Sequence, residues 1–276
     1  LKNNINGICF DNPNNLEILL KNISISEIRI DFKNYPEGFL EKWKKYTKNK
    51  KIQGAFHKKE NIHFKNYMNT IFAGDGTAKE QITSAFKQGK KQKENIQFYF
   101  EIGSNYFLEI AKLKAFRILW ESTTKKTPYI FASTSMKNKE KIYPYNNIIR
   151  TTTECMSAIF GGANAIMINS YNQHFEETTE FSERIARNQQ SILKEECLLD
   201  KVSDPTKGSY YLNYLINELL QDFNIKKINK SLKAKEVWTS AEQIKIKDYY
   251  TIKDLDSTKH KKYIAGSPPY LRGPYS

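Results

Sequence analysis

Short apolar runs alternate with amphipathic stretches along most of this chain, and that alternation limits the possible folds more than any other feature. Runs at 7–11, 27–32, 51–56, 69–72, 96–102, 129–133 and 165–169 predict strands, and 15–22, 36–49, 77–91, 105–121, 146–161 and 179–196 predict helices between and after them. The helix from Asn146 is the clearest: Ile149, Thr152, Met156, Ile159 and Phe160 recur at three- and four-residue steps, and Gly161-Gly162 ends it. The helix from Asn105 is strongly apolar, with Lys112, Lys114 and Arg117 on another face, and Thr179-Glu180 opens a helix with an acid in its first turn. Regular β-α alternation argues for a parallel sheet, because parallel neighbours need a crossover connection and cannot be joined by a tight turn. The two common outcomes are an open doubly wound sheet and an eight-stranded barrel. No G-x-G-x-x-G follows the first strand, which weakens the dinucleotide-binding version. About seven strands leave a (β/α)8 barrel one short. The chain begins L-K-N-N without an initiator Met, and a cut at the front would account for a missing first strand.

The expected organisation is therefore an incomplete (β/α) barrel over residues 1–222 and a separate segment over 223–276. After Leu220 charges are dense and periodicity is lost; residues 226–235 read as a linker, and 244–246 as one short strand. The last residues, A-G-S-P-P-Y-L-R-G-P-Y-S, fit neither helix nor strand. Pro268, Pro269 and Pro274 fix φ and remove backbone donors, so the segment runs extended. Arg272 adds a planar cation, Gly273 allows close backbone approach, and Tyr270 and Tyr275 add flat faces, as in a strap lying on a polyanionic ligand.

The formal net charge is +14. Nucleic-acid binding is one explanation of such a balance, but the lysines are spread along the chain, with dense clusters only at 42–51 and 87–93. There is no Arg-rich helix, zinc-finger spacing or RNA-binding aromatic signature, so the expectation is no nucleic acid. No apolar run reaches the length of a membrane span. Cys9, Cys155 and Cys197 share no C-x-x-C spacing and read as reduced, mostly buried thiols of a cytoplasmic protein. His57, His63, His174 and His260 lack metal-ligand spacing and read as ordinary surface or loop residues. The run Gly74-Asp75-Gly76-Thr77 lacks the Lys of a nucleotide loop and reads as a βα turn with Thr77 as N-cap. Arg150 reads as an ion-pairing group, and Arg184, Arg187 and Asn188 as packing and loop-anchoring groups.

Four motifs stand in order between Glu101 and Leu220: E-I-G-S-N-Y-F-L-E-I-A-K-L-K-A-F-R-I-L-W, then Y-N-N-I-I-R-T-T-T-E, then E-F-S-E-R-I-A-R-N-Q-Q-S-I-L-K-E-E, then D-P-T-K-G-S-Y-Y. Together they resemble the second half of the barrel of the methylmalonyl-CoA mutase family, and R-T-T-T-E-C-M-S-A-I-F-G-G-A is closer to its small, non-catalytic subunit. Residues 1–222 thus resemble the small-subunit barrel; W-T-S-A-E-Q-I-K-I-K-D-Y-Y-T-I-K-D-L followed by I-A-G-S-P-P-Y-L-R-G-P-Y-S, within 235–276, resembles the N-terminal arm of the catalytic large subunit. The resemblance implies an isomerase family that interconverts methylmalonyl-CoA and succinyl-CoA by cobalt–carbon homolysis and migration of the thioester carbon. It also implies adenosylcobalamin for the family complex and a catalytic large subunit as partner.

Departures from the catalytic pattern imply a chain that is inactive alone. Asn95 stands where catalytic barrels carry the Arg that grips the substrate carboxylate, Phe131 or Ala132 where they carry the His that polarises the thioester, and Met167 at a further His. These losses predict a less polar barrel interior. The D-x-H-x-x-G motif whose His ligates cobalt does not occur. No catalytic residue or metal ligand is therefore expected; Arg272, Gly273 and Tyr275 match the strap that lines the coenzyme A channel and are the candidate contacts to a coenzyme A thioester. Two alternatives stay open: an active cobalamin-dependent acyl-CoA mutase subunit in which other residues replace the missing Arg and His, and a basic polyanion-binding protein on a decayed barrel.

Overall fold

The computed structural model describes residues 6–48, 50–58, 62, 64, 66–92, 95–223, 238–239, 243, 245–246 and 253. Arg272, Gly273 and Tyr275, with the rest of the terminal motif, lie outside the described residues, as do His63 and His260. The chain divides into two compact units, the larger made of residues 1–200 and 206–229. In it β1 (Gly7–Phe10), β2 (Arg29–Phe32), β3 (Gly54–Phe56), β4 (Tyr67–Phe72), β5 (Ile96–Ile102), β6 (Tyr129–Thr134) and β7 (Ala165–Met167) form one sheet in sequential order, every pair parallel. The smaller unit contains an antiparallel pair, Trp238–Thr239 with Lys245–Ile246.

The sheet is curled. Four strand spacings of about 4.8 Å would put β2 and β6 roughly 19 Å apart if it were flat. Instead the Arg29 guanidinium carbon of β2 lies 4.6 Å from the ring centre of Tyr129 on β6. Seven parallel strands bent this far, alternating with helices, form an incomplete (β/α)8 barrel. No ladder joins β1 to β7 among the described residues.

Alternation within the strands sorts side chains between the inside of the curl and its helix-covered outside. The short α1 (Leu16–Leu19) follows β1; Ile30 and Phe32 of β2 and Phe56 of β3 face outward and pack with Phe39 and Trp43 of α2 (Phe39–Tyr46). Phe32 anchors this cluster, its ring centre 4.8 Å from Phe39 and 5.0 Å from Trp43. A second core joins Ile71, Phe98, Phe100, Ile130 and Ala132 to α3 (Ala78–Lys91), α4 (Tyr106–Thr124) and α5 (Asn146–Phe160). Thr77 caps α3 in a capping box: the Glu80 backbone N–H donates to Thr77 Oγ1 (3.3 Å), and the Thr77 N–H donates to Glu80 (2.7 Å).

The apolar character of α4 on several faces now has a cause: a further helix, Tyr210–Leu220, packs against it and contributes Leu212, Leu219 and Leu220 to the same core. That helix had no counterpart in the sequence reading. The helix expected over 179–196 is α-helical only over Glu180–Ser191; Ile192–Glu196 winds as a π-turn, and Leu198 follows in the left-handed region at φ 54°. No described helix is long and apolar enough to cross a membrane.

Candidate functional site

The inward faces of β2 to β6 carry a buried polar network. In R-I-D-F, Ile30 and Phe32 point outward, so Arg29 and Asp31 point in. The Asp31 carboxylate accepts from Arg29 Nε (2.9 Å to Oδ1) and from the Ala55 backbone N–H (2.8 Å), and lies 3.0 Å from His57 Nε2. A carboxylate only accepts, so His57 Nε2 donates to it. Gln97 of β5 bridges the curl: Arg29 Nη2 donates to its Oε1 (2.5 Å), and its Nε2 donates to Thr70 Oγ1 of β4 (2.8 Å). Asp31, His57, Thr70 and Gln97 are all buried.

Rings close over this network. Phe131 of β6 lies 4.6 Å edge-on to His57 and stacks on Tyr99 of β5 at 5.6 Å. Burial pushes the Tyr99 hydroxyl up to about 12. Burial first, and the Asp31 charge second, push the Cys9 thiol of β1 up to about 12. Both groups are therefore held neutral near pH 7.

A second cluster sits past the C-terminal ends of β5 and β6. Lys139 Nζ donates to both carboxylate oxygens of Glu154 (2.8 and 2.9 Å), and the side chains of this pair are 2% and 1% exposed. Asn138 Nδ2 donates to Glu154 (2.6 Å) and to Ser104 Oγ (2.6 Å). Burial lowers the Lys139 ammonium and raises the Glu154 carboxyl, in each case against the pull of the partner. Lys137 pairs with Asp75 in the exposed turn before α3.

These placements revise several sequence readings. His57 is not a surface residue; it follows β3 directly and is buried inside the curl, where Asp31 and the Phe131 ring enclose it. The interior is not simply less polar, since Arg29, Asp31, Thr70 and Gln97 line it. Period-2 spacing of Arg29 and Asp31 between Ile30 and Phe32 was the available signal. Asn95 is not inside: it occupies the turn before β5 at φ 51°, where its carbonyl accepts from the Asn69 N–H (2.7 Å). Of the two β6 candidates, Phe131 faces in and Ala132 belongs to the outer core. Arg150 ion-pairs with Glu140 at 3.2 Å, as expected of a structural arginine. His174 is exposed. Among the described residues no three or more His, Cys, Asp or Glu side chains come together as a metal cluster.

A family model described as methylmalonyl-CoA mutase matches residues 80–231. The methylmalonyl-CoA mutase small subunit of Porphyromonas gingivalis is 42% identical over 150 residues, covering 51% of this chain and 24% of that protein. The methylmalonyl-CoA mutase of Rhizobium meliloti is 38% identical over 155 residues, covering 52% and 22%. The P. gingivalis large subunit is 33% identical over 187 residues, covering 63% and 26%. The chain thus spans about a quarter of the length of these relatives. With the family model covering more than half of its residues, and the curled parallel sheet beneath them, the chain belongs to the methylmalonyl-CoA mutase family.

Proposed function

We propose that this chain is a small-subunit-like member of the family, without turnover of its own, that pairs with a catalytic large subunit in the cytoplasm. One observation carries the reading: the inside of the curl is filled by its own side chains. Any acyl thioester threading the barrel would have to displace the Phe131–Tyr99 stack and break the bonds of Arg29, Asp31, His57 and Gln97. Each buried polar group then left without a partner costs about 1–3 kcal/mol, more if charged. Arg29, the inward-facing arginine, is already engaged by Asp31, Gln97 and the Tyr129 face.

The described residues do not fit adenosylcobalamin either. The Nε2 of His57 is turned onto Asp31 beneath a phenyl ring, where no corrin can approach, and His174 stands exposed. The cofactor is accordingly assigned to the partner. Contact with a coenzyme A thioester is assigned to Arg272, Gly273 and Tyr275 of the arm over 223–276, on the resemblance alone.

The test is direct. The purified chain with adenosylcobalamin and succinyl-CoA gives no methylmalonyl-CoA, and turnover appears only when a large subunit is added. Measurable conversion by the chain alone would refute the reading and favour an active subunit that uses other residues.

A further inference from the structure

The loop from β6 to α5 and the first turn of α5 hold four large apolar side chains out in solvent. Ile142 is 82% exposed, Tyr143 66%, Tyr145 64% and Ile149 67%. The Asn146, Asn147 and Ile148 N–H groups donate to the carbonyls of Tyr143, Pro144 and Tyr145, which extends the spiral of α5 backwards by about one turn. Tyr145 and Ile149 therefore lie one turn apart on the same side, with Ile142 and Tyr143 on the turn before. The two tyrosines, at aromatic areas of about 150–250 Å² each, and the two isoleucines beside them together expose on the order of 500 Å². That is as much contiguous apolar surface as a soluble monomer usually shows, and it would fill the centre of a standard interface of about 800 Å² per partner.

A loose loop would fold these side chains inward; this one is pinned so that they stay out. Lys139 and Glu154 form a buried ion pair at its start. Asn147 is fully buried, accepts from the Glu140 N–H (3.0 Å), and donates to the Glu140 (2.8 Å) and Tyr171 (3.0 Å) carbonyls. Tyr145 leans on Tyr171 at 5.5 Å. Such a surface loses little freedom on docking, which is the condition under which modest area yields affinity. Lys141 and the Glu140–Arg150 pair give it a charged rim.

We infer that Ile142, Tyr143, Tyr145 and Ile149 are the face on which the catalytic large subunit docks, an inference that rests on the pairing proposed above. The chain's charge selects against a second copy, since two chains of +14 repel. A large subunit is the partner the relatives point to: one relative's organism has both a small and a large subunit similar to this chain.

The experiment compares the wild-type chain with Ile142→Lys/Ile149→Glu, and with Ile18→Lys as a control on the helix after β1, where Ile18 is 71% exposed. Surface changes of this kind shift stability by about 0.5 kcal/mol or less, so all three fold. Binding to the large mutase subunit of the same organism is measured by titration calorimetry, and the mass of each chain alone by sedimentation. The double variant is expected to bind at least thirty-fold more weakly, with the control unchanged. If the double variant binds as tightly as wild type, this inference falls while the pairing stands. If the wild-type chain does not bind, the pairing falls and takes the inference with it. If the chain alone sediments as a dimer that the double variant dissolves, the occupant is a second copy and the assignment to a large subunit is wrong.

Discussion

Replacing Lys139 by Met tests whether the β6–α5 loop is set by its buried ion pair. Met keeps much of the length of the lysine stem and removes the charge, which leaves Glu154 1% exposed with Asn138 Nδ2 at 2.6 Å as its remaining side-chain donor. Removing one member of a buried pair costs about 3–5 kcal/mol, and the surviving Asn138 bond argues for the lower end, near 3. For a chain of this size that lowers the melting midpoint by roughly 6–12 °C. The loss also has a signature in pH. Burial already holds the Glu154 carboxyl above its ordinary range, and Lys139 supplies the two largest opposing influences, so K139M raises it further. A carboxyl whose folded value lies above its unfolded value of about 4.3 binds more protons in the folded state, so stability falls as pH rises between the two. The K139M deficit is therefore small near pH 4 and complete once the pH has passed the raised folded value. The double change Lys139→Met/Glu154→Leu removes the stranded charge and should return to within about 1 kcal/mol of wild type, because apolar replacements of buried pairs are often neutral. Urea melts from pH 4 to 8 measure all of this. A K139M deficit below about 1 kcal/mol at pH 8, or one that does not change with pH, would refute the reasoning.

Two further outcomes follow from packing and burial. In Gly54→Ala the added methyl would stand 1.8 Å from the Ile30 carbonyl oxygen, so β2 and β3 would have to separate; little soluble protein is expected, and a variant melting within 2 °C of wild type would show that the strands pair differently. Of the three thiols, Cys197 is exposed, while burial pushes Cys9 and Cys155 up to about 12. An aromatic disulfide reagent at pH 8 should therefore label one thiol quickly in the native chain and three in guanidinium, and two fast thiols would mean that β1 opens readily.

The sheet was legible because each strand has an outward face that has to be apolar. Ile30 and Phe32, Phe98 and Phe100, and Ile130 and Ala132 mark β2, β5 and β6 in the sequence as clearly as in the fold. Helix starts were legible where a side chain caps them, as at Thr77 and Thr179. The helix over Tyr210–Leu220 was not, because its opening tyrosines are exposed and blur the apolar stripe behind them. The polar interior was missed for a different reason. Arg29, Asp31, His57, Thr70 and Gln97 are spread over three strands and the end of a fourth and meet only when the sheet curls, and no local spacing encodes a contact across 68 residues. The exposure of Ile142 and Ile149 was hidden as well, since apolar periodicity alone assigns such residues to a core.

The interior network also separates two properties that the sequence alone merges. A barrel can be polar inside without being able to bind. Gripping a carboxylate calls for a cation whose hydrogen-bonding fork is free when the ligand arrives, and a guanidinium offers that fork in one plane. In Arg29 the Nε is bonded to Asp31, one Nη to Gln97, and the face lies on Tyr129. Asp31 is itself held by His57 and the Ala55 N–H, so it cannot swing aside without stranding a buried donor. The arginine already has a carboxylate, supplied by its own strand two residues away, and an incoming one would have to outcompete a partner that gives up no translational freedom to be there. The same charges that would make a site when separated make a strut when paired, and this pairing, more than the loss of any one side chain, is the strongest support in the fold for the proposed lack of turnover.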